Sequence, residues 1–129
     1  MSAVHYRIDP FPADPELAQL SAAAWGHHDG SGYQNVLARS LCHIGAYVDN
    51  RLIGFVNVAW DGGIHAFLLD TQVHPDFQRR GIAAQLVRTA TDEARLRGAQ
   101  WLHVDCEPHL EGFYHGCGFR PTLAGLIRL

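Results

Sequence analysis

Apolar runs bounded by turn-forming residues divide the central part of the chain into three predicted strands. Residues 42–48 and 51–60 are two such runs, and the Asp-Asn pair between them predicts a hairpin. Residues 64–73 form a third run, which is apolar enough to indicate a central strand. Apolar residues then recur at helical spacing over 81–97, which predicts the clearest helix of the chain.

Shorter predicted elements flank this centre. The helix 81–97 connects the strand 64–73 to a further strand, so these two strands are expected to pair in parallel. The remaining elements are a strand at 5–8, helices at 14–25 and 33–40, a strand at 100–106, a helix at 109–118 and a last strand at 123–129. The order βααβββαβαβ predicts an α/β fold with an open, mixed sheet.

Length and composition fit a single soluble domain over 1–129. The chain has 129 residues, 47% apolar and 18% charged, which is enough to bury one core. It contains no repeat, no linker, no apolar run of membrane-span length and no signal-peptide pattern, so we expect no membrane partner. Three cysteines, an odd number without framework spacing, favour reduced thiols and a cytoplasmic location.

Charge is unevenly distributed along the chain. The net charge is −3, and all ten cationic side chains are arginines. Residues 1–70 hold three arginines and seven acids, whereas residues 71–129 hold seven arginines and six acids. This balance lacks the broad basic face of a nucleic-acid-binding protein, so we expect no nucleic-acid partner. It does indicate a local anion site in the second half.

The stretch Gln78 to Ala83, QRRGIA, places positive charge where the long helix begins. Unpaired backbone N–H groups at a helix N-terminus bind phosphate oxygens, and the helix dipole favours the negative charge. Gly81 lets a ligand approach the backbone, and Arg79 and Arg80 add charge-assisted hydrogen bonds. The stretch therefore predicts a pyrophosphate site.

Two motifs on the expected elements resemble the GCN5-related N-acetyltransferase (GNAT) superfamily. The first is Gln78-x-x-Gly81-x-Ala83 after a strand, and the second is Phe113-Tyr114-x-x-x-Gly118-Phe119 in a later helix. The resemblance is close over 64–119. It implies a mostly antiparallel sheet with one splayed parallel pair, helices on both faces, and transfer of an acetyl group from acetyl-CoA to a primary amine.

The resemblance also implies roles for individual residues. Tyr114 would stand near the coenzyme sulfur and protonate the leaving thiolate. The ordinary pKa values of tyrosine and a thiol, about 10 and about 8.5, make that transfer uphill by only about 2 kcal/mol. No metal is implied. The residues implied to contact acetyl-CoA are Thr71 and Val73 along the pantetheine arm, Gln78, Arg79, Arg80, Gly81, Ile82 and Ala83 around the pyrophosphate, and Tyr114 at the thioester.

The general base is left open by the sequence. Some relatives carry glutamate or histidine at the positions of Phe67 and Leu69, and neither side chain titrates here. The remaining candidates are His65, Asp70 and Glu107, followed by His27, His28, Asp29, His103 and Asp105. Asp70 would reach the site only if a β-bulge turns its side chain. The acceptor is expected to lie near His27, His28, Trp60, Phe67 and Leu69.

Three other interpretations compete with catalysis. A GNAT fold that binds acyl-CoA without turning it over is favoured by the missing base and opposed by Tyr114. A nucleotide site lacks the G-K-[ST] and G-x-G-x-x-G patterns, so it ranks last. A zinc site at Cys106, His109, His115 and Cys117 has suitable ligand types but not the spacing of a zinc finger, and we expect no metal.

The segment after Phe119 bears on assembly. Relatives end in a two-stranded hairpin, whereas the ten residues that follow Phe119 here suffice for one strand. An open sheet edge can pair with another chain. The sequence therefore predicts a homodimer.

Overall fold

The computed structural model describes residues 2–27 and 32–129. Its five strands form one sheet in the order β1-β2-β3-β4-β5, antiparallel except for the parallel pair β4–β5. The strands are β1 His5–Ile8, β2 Ser40–Val48, β3 Arg51–Trp60, β4 His65–Val73 and β5 Trp101–Val104. The helices are α1 Asp14–Trp25, α2 Gln34–Ala38, α3 Ile82–Leu96 and α4 Glu111–Gly116, with 3-10 turns at Pro75–Phe77 and Pro108–Leu110. The predicted fold class is confirmed.

The β2–β3 hairpin forms where the sequence predicts it. Asp49 and Asn50 both adopt left-handed backbone conformations, with φ of 49° and 63°. Two consecutive positive φ values give the tight turn whose twist matches the flanking strands, and Asp and Asn tolerate it best among non-glycine residues. Val48 and Arg51 then face each other across the hairpin.

Helices cover the two faces of the sheet unequally. On one face α3 buries an apolar stripe against β2, β3 and β4, and its buried residues are Ile82, Leu86, Val87, Ala90 and Ala94. On the other face α1 and α2 pack against Phe55 and Leu52 of β3. Alternate residues of β3 point to opposite faces, because Val56 and Val58 belong to the α3 side and Phe55 to the α1 side.

The prediction of a last strand over 123–129 is wrong. These residues form no strand, and their apolar side chains are almost fully exposed: Leu123 102%, Leu126 90%, Ile127 84% and Leu129 110%. An alternating sequence pattern gives a strand only when a neighbouring strand takes up the backbone hydrogen bonds. In the described sheet β5 lies at an edge and pairs only with β4.

Among residues 2–27 and 32–129, no helix combines the length and the hydropathy that crossing a bilayer requires. The three cysteines are free: Cys42 is buried, Cys106 is exposed and Cys117 is partly buried.

Candidate active site

The loop before α3 has the backbone geometry of an anion site. Gly81 is the N-cap residue of α3 with a φ of 77°, and no side chain caps this helix end. The first hydrogen bond of the helix runs from the Gln85 N–H to the Gly81 carbonyl at 3.1 Å, so the N–H groups of residues 82–84 precede the helical ladder. Arg79 and Arg80 are exposed beside them. Free backbone amides and two arginine side chains thus lie in the same loop, and the assignment of a pyrophosphate to it stays a prediction.

Gln78 makes a contact within the protein that its neighbours in the loop do not make. Its side-chain Nε2 donates to the Val73 carbonyl at 3.1 Å, which ties the loop to the end of β4. The cation of Arg80 lies 5.4 Å from the centre of the Phe77 ring, on the same loop. Gln78 therefore shapes the loop through the strand that precedes it, while Arg79 and Gly81 adopt the left-handed conformations that turn it into α3.

A β-bulge in β4 changes which side chains face which helix. Leu69 pairs with Asn57 and Gln72 pairs with Phe55, so Val56 alone stands opposite Asp70 and Thr71. Asp70 has a φ of 61°, the left-handed conformation that is uncommon for a residue other than glycine. The extra residue reverses the alternation along the strand.

Packing on either side of the bulge shows this reversal. Before it, Ala66 and Leu68 are buried on the α3 side, and after it Val73 is buried on that same side. Gln72 instead faces α1, where its Oε1 accepts a hydrogen bond from the Ser21 hydroxyl at 2.9 Å. The Gln72 Nε2 donates to the Asp70 carbonyl at 3.0 Å, which fixes the bulge.

Asp70 is turned by the bulge toward the α1 side. Its half-buried carboxylate accepts a hydrogen bond from the hydroxyl of Tyr33, the residue before α2. Burial raises the pKa of Asp70 above its ordinary 3.8, and the Tyr33 hydrogen bond opposes that rise. A carboxylate with a raised pKa is a better proton acceptor than an ordinary one.

Tyr114 approaches the same bulge from the α3 side. Its ring is buried with Phe113 and Phe119, and its hydroxyl is hydrogen-bonded to the Thr71 side chain. Burial raises the pKa of Tyr114, and the Thr71 hydrogen bond opposes that rise. Asp70 thus carries a carboxylate on one side of the sheet, and the adjacent Thr71 contacts the phenol of Tyr114 on the other side.

Asp70 and Thr71 lie beyond the part of β4 that pairs with β5. The parallel pairing runs from His65 opposite Trp101 to Leu68 opposite Val104 and does not extend to the bulge. The parallel pair predicted by the resemblance is thus present, and we call the unpaired region beside Asp70 and Thr71, beyond the end of β5, the slot.

Two histidines form a separate pair near the start of β4, away from the bulge. His65 Nδ1 and His103 Nε2 are 2.9 Å apart, so one ring donates a hydrogen bond to the other. The His103 ring also stacks on Phe67, with ring centres 4.8 Å apart and planes 19° apart. His65 and His103 therefore lie with Phe67 on the sheet face that α3 does not cover.

The other predicted site residues are more scattered. Glu107 and Asp105 are exposed on the loop after β5. His27 is exposed and contacts the Trp25 carbonyl through Nδ1 at 3.2 Å, whereas His28 and Asp29 lie outside the described residues. Trp60 pairs with Ala66, whose side chain is on the α3 side, so the structure does not bring it together with Phe67 and Leu69. Its indole N–H donates to the Gly63 carbonyl at 2.7 Å instead.

Sequence reasoning did not single out two features. Tyr33 was only part of a predicted helix, and nothing in the sequence indicates that it reaches Asp70. The second feature is a groove of about 250 Å³ between α3 and α4, which begins one helical turn after the loop before α3. It is lined by Ala84, Arg88, Thr91, Asp92, Arg95, Gly116 and Cys117. Residues 84, 88, 91 and 95 recur at helical spacing, and this spacing could have indicated that they share one face of α3.

No three His, Cys, Asp or Glu side chains within residues 2–27 and 32–129 are grouped so that they could hold a metal ion.

Comparison with known proteins gives a consistent result. A sequence model described as the acetyltransferase (GNAT) family matches residues 5–119. Streptothricin acetyltransferase from Streptomyces lavendulae is 32% identical over 104 residues, which are 77% of this chain and 54% of that protein. The first curated relatives are matched over 41% and 40% of their length, so the chain spans about two fifths of them.

Solved structures show the same fold. A GNAT-family acetyltransferase from Streptococcus pneumoniae has a TM-score of 0.84 at 21% identity, over 98% of each chain. Aminoglycoside N-acetyltransferase AAC(6')-Iy, solved in complex with CoA, has a TM-score of 0.77 at 19% identity, over 100% of this chain and 95% of that one.

We expect Gly81→Ala to destabilise the protein by about 1 kcal/mol, because an L-residue is strained at a φ of 77°. A Cβ at this position would meet no protein atom within 4 Å, so the backbone conformation alone is tested. Gly112→Ala in α4 is the matched control: its Cβ also meets nothing, and its φ is not positive. Urea unfolding measures both; equal midpoints for the two variants would contradict the assigned conformation.

Proposed function

The chain belongs to the GNAT acetyltransferase family, and we propose that it transfers an acetyl group from acetyl-CoA to a primary amine by direct attack in a ternary complex. The observation that carries the proposal is the bulge at Asp70 and Thr71. It turns the Asp70 carboxylate to one face of the sheet and sets Thr71 against the Tyr114 phenol on the other face, beyond the last residues that pair β4 with β5.

The loop before α3 supports the choice of acetyl donor. The N–H groups of residues 82–84 and the cations of Arg79 and Arg80 suit the two charges of a diphosphate. The groove between α3 and α4 continues from this loop, and its wall holds Arg88 and the Arg95–Asp92 ion pair; Arg88 suits a further anionic part of the coenzyme. One long ligand can thus span from the α3–α4 groove to Tyr114.

The proposed reaction assigns one proton transfer to each side of the bulge. The amine nitrogen attacks the thioester carbonyl carbon; a C–N bond forms and the C–S bond breaks. Asp70 takes a proton from the amine nitrogen, and Tyr114 gives its hydroxyl proton to the departing thiolate. The products are an amide and free CoA, and one proton returns from Asp70 to Tyr114 through solvent to reset the site.

The acid step is feasible for a buried tyrosine. With ordinary pKa values the transfer from phenol to thiolate is uphill by about 2 kcal/mol. Burial raises the pKa of Tyr114, which keeps the phenol protonated at neutral pH and makes the transfer more uphill. The Thr71 hydroxyl offsets part of that increase because its hydrogen bond stabilises the phenolate.

The base step favours Asp70 over the other candidates. Deprotonating a lysine-like amine at pH 7 costs roughly 4.6 kcal/mol, so a nearby base is needed. Asp70 is half-buried, has a raised pKa and borders the slot. Glu107 is exposed on a loop, and His65 lies at the far end of β4 from the bulge. Phe67 and Leu69 cannot accept a proton, so the carboxylate of Asp70 serves as the base instead.

Assembly and location extend the proposal. The edge of β5 and the exposed apolar side chains of residues 123–129 suit addition of a strand from a second copy of the chain, which gives a homodimer. The three free thiols suit the reducing cytoplasm, where acetyl-CoA is also available.

Replacing the acid tests the reaction. We expect Tyr114→Phe to lower kcat by roughly 10²-fold or more, because the thiolate then leaves unprotonated. Acetyl-CoA affinity by calorimetry should be nearly unchanged, and Tyr47→Phe, a buried tyrosine on the other side of the sheet, should retain full activity. Thiol release from acetyl-CoA with a panel of amines measures turnover. Wild-type turnover in Tyr114→Phe would show that the phenol is not the acid.

Replacing the base gives a pH signature. Asp70 must be ionised to accept a proton, so kcat/KM should fall as pH drops through its raised pKa. Asp70→Asn keeps the shape of the side chain and should lower kcat/KM by roughly 10²- to 10⁴-fold and abolish that acid limb. Asp49→Asn is the control, since Asp49 also has a positive φ but lies in the β2–β3 hairpin. An unchanged acid limb in Asp70→Asn would assign the base elsewhere.

Light scattering tests the homodimer. We expect the purified protein to show twice the mass of one chain, and Ile127→Asp to show the mass of one chain, because a buried carboxylate opposes strand addition in an apolar interface. A single-chain mass for the wild type at every concentration would exclude the dimer.

A further inference from the structure

Five side chains form an exposed surface on the sheet face opposite α3, and we call it the β4–β5 plate. Its members are His65, Phe67 and Leu69 of β4 and Trp101 and His103 of β5. The exposed fractions of the apolar members are 39% for Phe67, 44% for Leu69 and 53% for Trp101. The alternate residues of both strands, Ala66, Leu68, Leu102 and Val104, pack on the α3 side instead. In the described structure α1 and α2 cover β2 and β3 rather than this part of the face.

The plate is ordered by contacts among its own members. The His103 ring lies nearly parallel to Phe67, its cross-strand neighbour, and is held there by the hydrogen bond to His65. His65 in turn stands opposite Trp101. The His103 ring covers one face of Phe67, and the part of Phe67 that stays exposed is held in one orientation, so a ligand ring can pack on it with little loss of side-chain entropy.

The plate continues directly into the proposed active site. Phe67, Leu69 and the turned Asp70 carboxylate share one strand and one face, the face on which Tyr33 contacts Asp70. Three residues of strand span about 10 Å, so a molecule a few bonds long can touch Asp70 with one end and Phe67 with the other. An apolar surface therefore ends at a single negative charge.

Charge on this face does not suit an anionic acceptor. Residues 60–73 contain two aspartates and no arginine or lysine. Phe67 stands opposite Ala59 of β3, and Ala59 stands opposite Ser40 of β2. Ser40 follows Arg39 in the chain. The guanidinium of Arg39 donates to the Asn35 carbonyl at 3.0 Å in its own segment.

From this arrangement we infer that the acceptor is an amine carrying a flat aromatic ring two or three bonds from its nitrogen. The ring stacks on the β4–β5 plate, and the nitrogen lies at Asp70, where a cation is favoured. This inference rests on the proposed function and names its substrate class. A phosphorylated amino sugar would bring negative charge close to the Asp70 carboxylate, and a polyamine would leave the rings unused.

The test compares amines of three classes with wild-type protein. We expect kcat/KM for 2-phenylethylamine and tryptamine to exceed that for spermidine and for glucosamine 6-phosphate by roughly tenfold or more. Turnover restricted to spermidine or the amino sugar would overturn the aromatic class and leave the acetyltransferase proposal standing. Absence of turnover with every amine, together with absence of acetyl-CoA binding, would overturn both.

Variants at Phe67 locate the ring. Phe67→Ala should lower kcat/KM for 2-phenylethylamine by roughly three- to tenfold, mainly through KM, because one aromatic contact is lost. Phe67→Tyr keeps the ring and should keep the preference, and acetyl-CoA affinity should be the same in both. Leu96→Ala, an equally simple truncation of an exposed side chain on α3, serves as the control. An unchanged ratio between aromatic and aliphatic amines in Phe67→Ala would refute the stacking surface.

Discussion

The extra residue that β4 carries opposite Val56 decides which faces the Asp70 and Thr71 side chains take, because it reverses the alternation of the strand just beyond its pairing with β5. Without it, Asp70 would point with Ala66 and Leu68 into the core beneath α3. With it, the Asp70 carboxylate turns to Tyr33, and Thr71 meets the Tyr114 hydroxyl. One backbone irregularity thus turns the Asp70 carboxylate to one side of the sheet and the Thr71 side chain to the other.

The bulge strains the backbone at Asp70, and contacts from neighbouring residues stabilise it. A non-glycine residue at a φ of 61° is strained by about 1–3 kcal/mol, and such strain persists only where surrounding contacts hold it. Here Gln72 supplies the contacts, since its amide binds both the Asp70 carbonyl and the Ser21 hydroxyl of α1. The buried face of α3 fixes the other side of the strand. The bulge is therefore held by a packed sheet, whereas the proposed binding of a diphosphate by the loop before α3 depends on unpaired amides at a helix end.

Local signals made part of this structure predictable. The Asp49-Asn50 hairpin, the amphipathic α3 and the QRRGIA loop each depend on neighbours in sequence, and each forms as predicted. The orientation of Asp70 could not be read, because its φ is set by packing from α1 and by a bulge that leaves no sequence pattern. The Tyr33 contact is long-range for the same reason. The last strand was predicted from its pattern, but a strand exists only when its backbone pairs with a neighbour, and residues 123–129 do not pair with the open edge of β5.

The titration of Asp70 tests this account most directly, because it reports the environment that the bulge creates. Carbon-13 NMR of the labelled side-chain carboxyl gives its pKa in the wild-type protein and in Tyr33→Phe. Burial predicts a wild-type pKa above the ordinary 3.8, and loss of the Tyr33 hydrogen bond, which opposes the rise, predicts a higher value still in the variant. A wild-type pKa at or below 3.8, unaffected by Tyr33→Phe, would mean that the carboxylate points into solvent and that the site is not built as described.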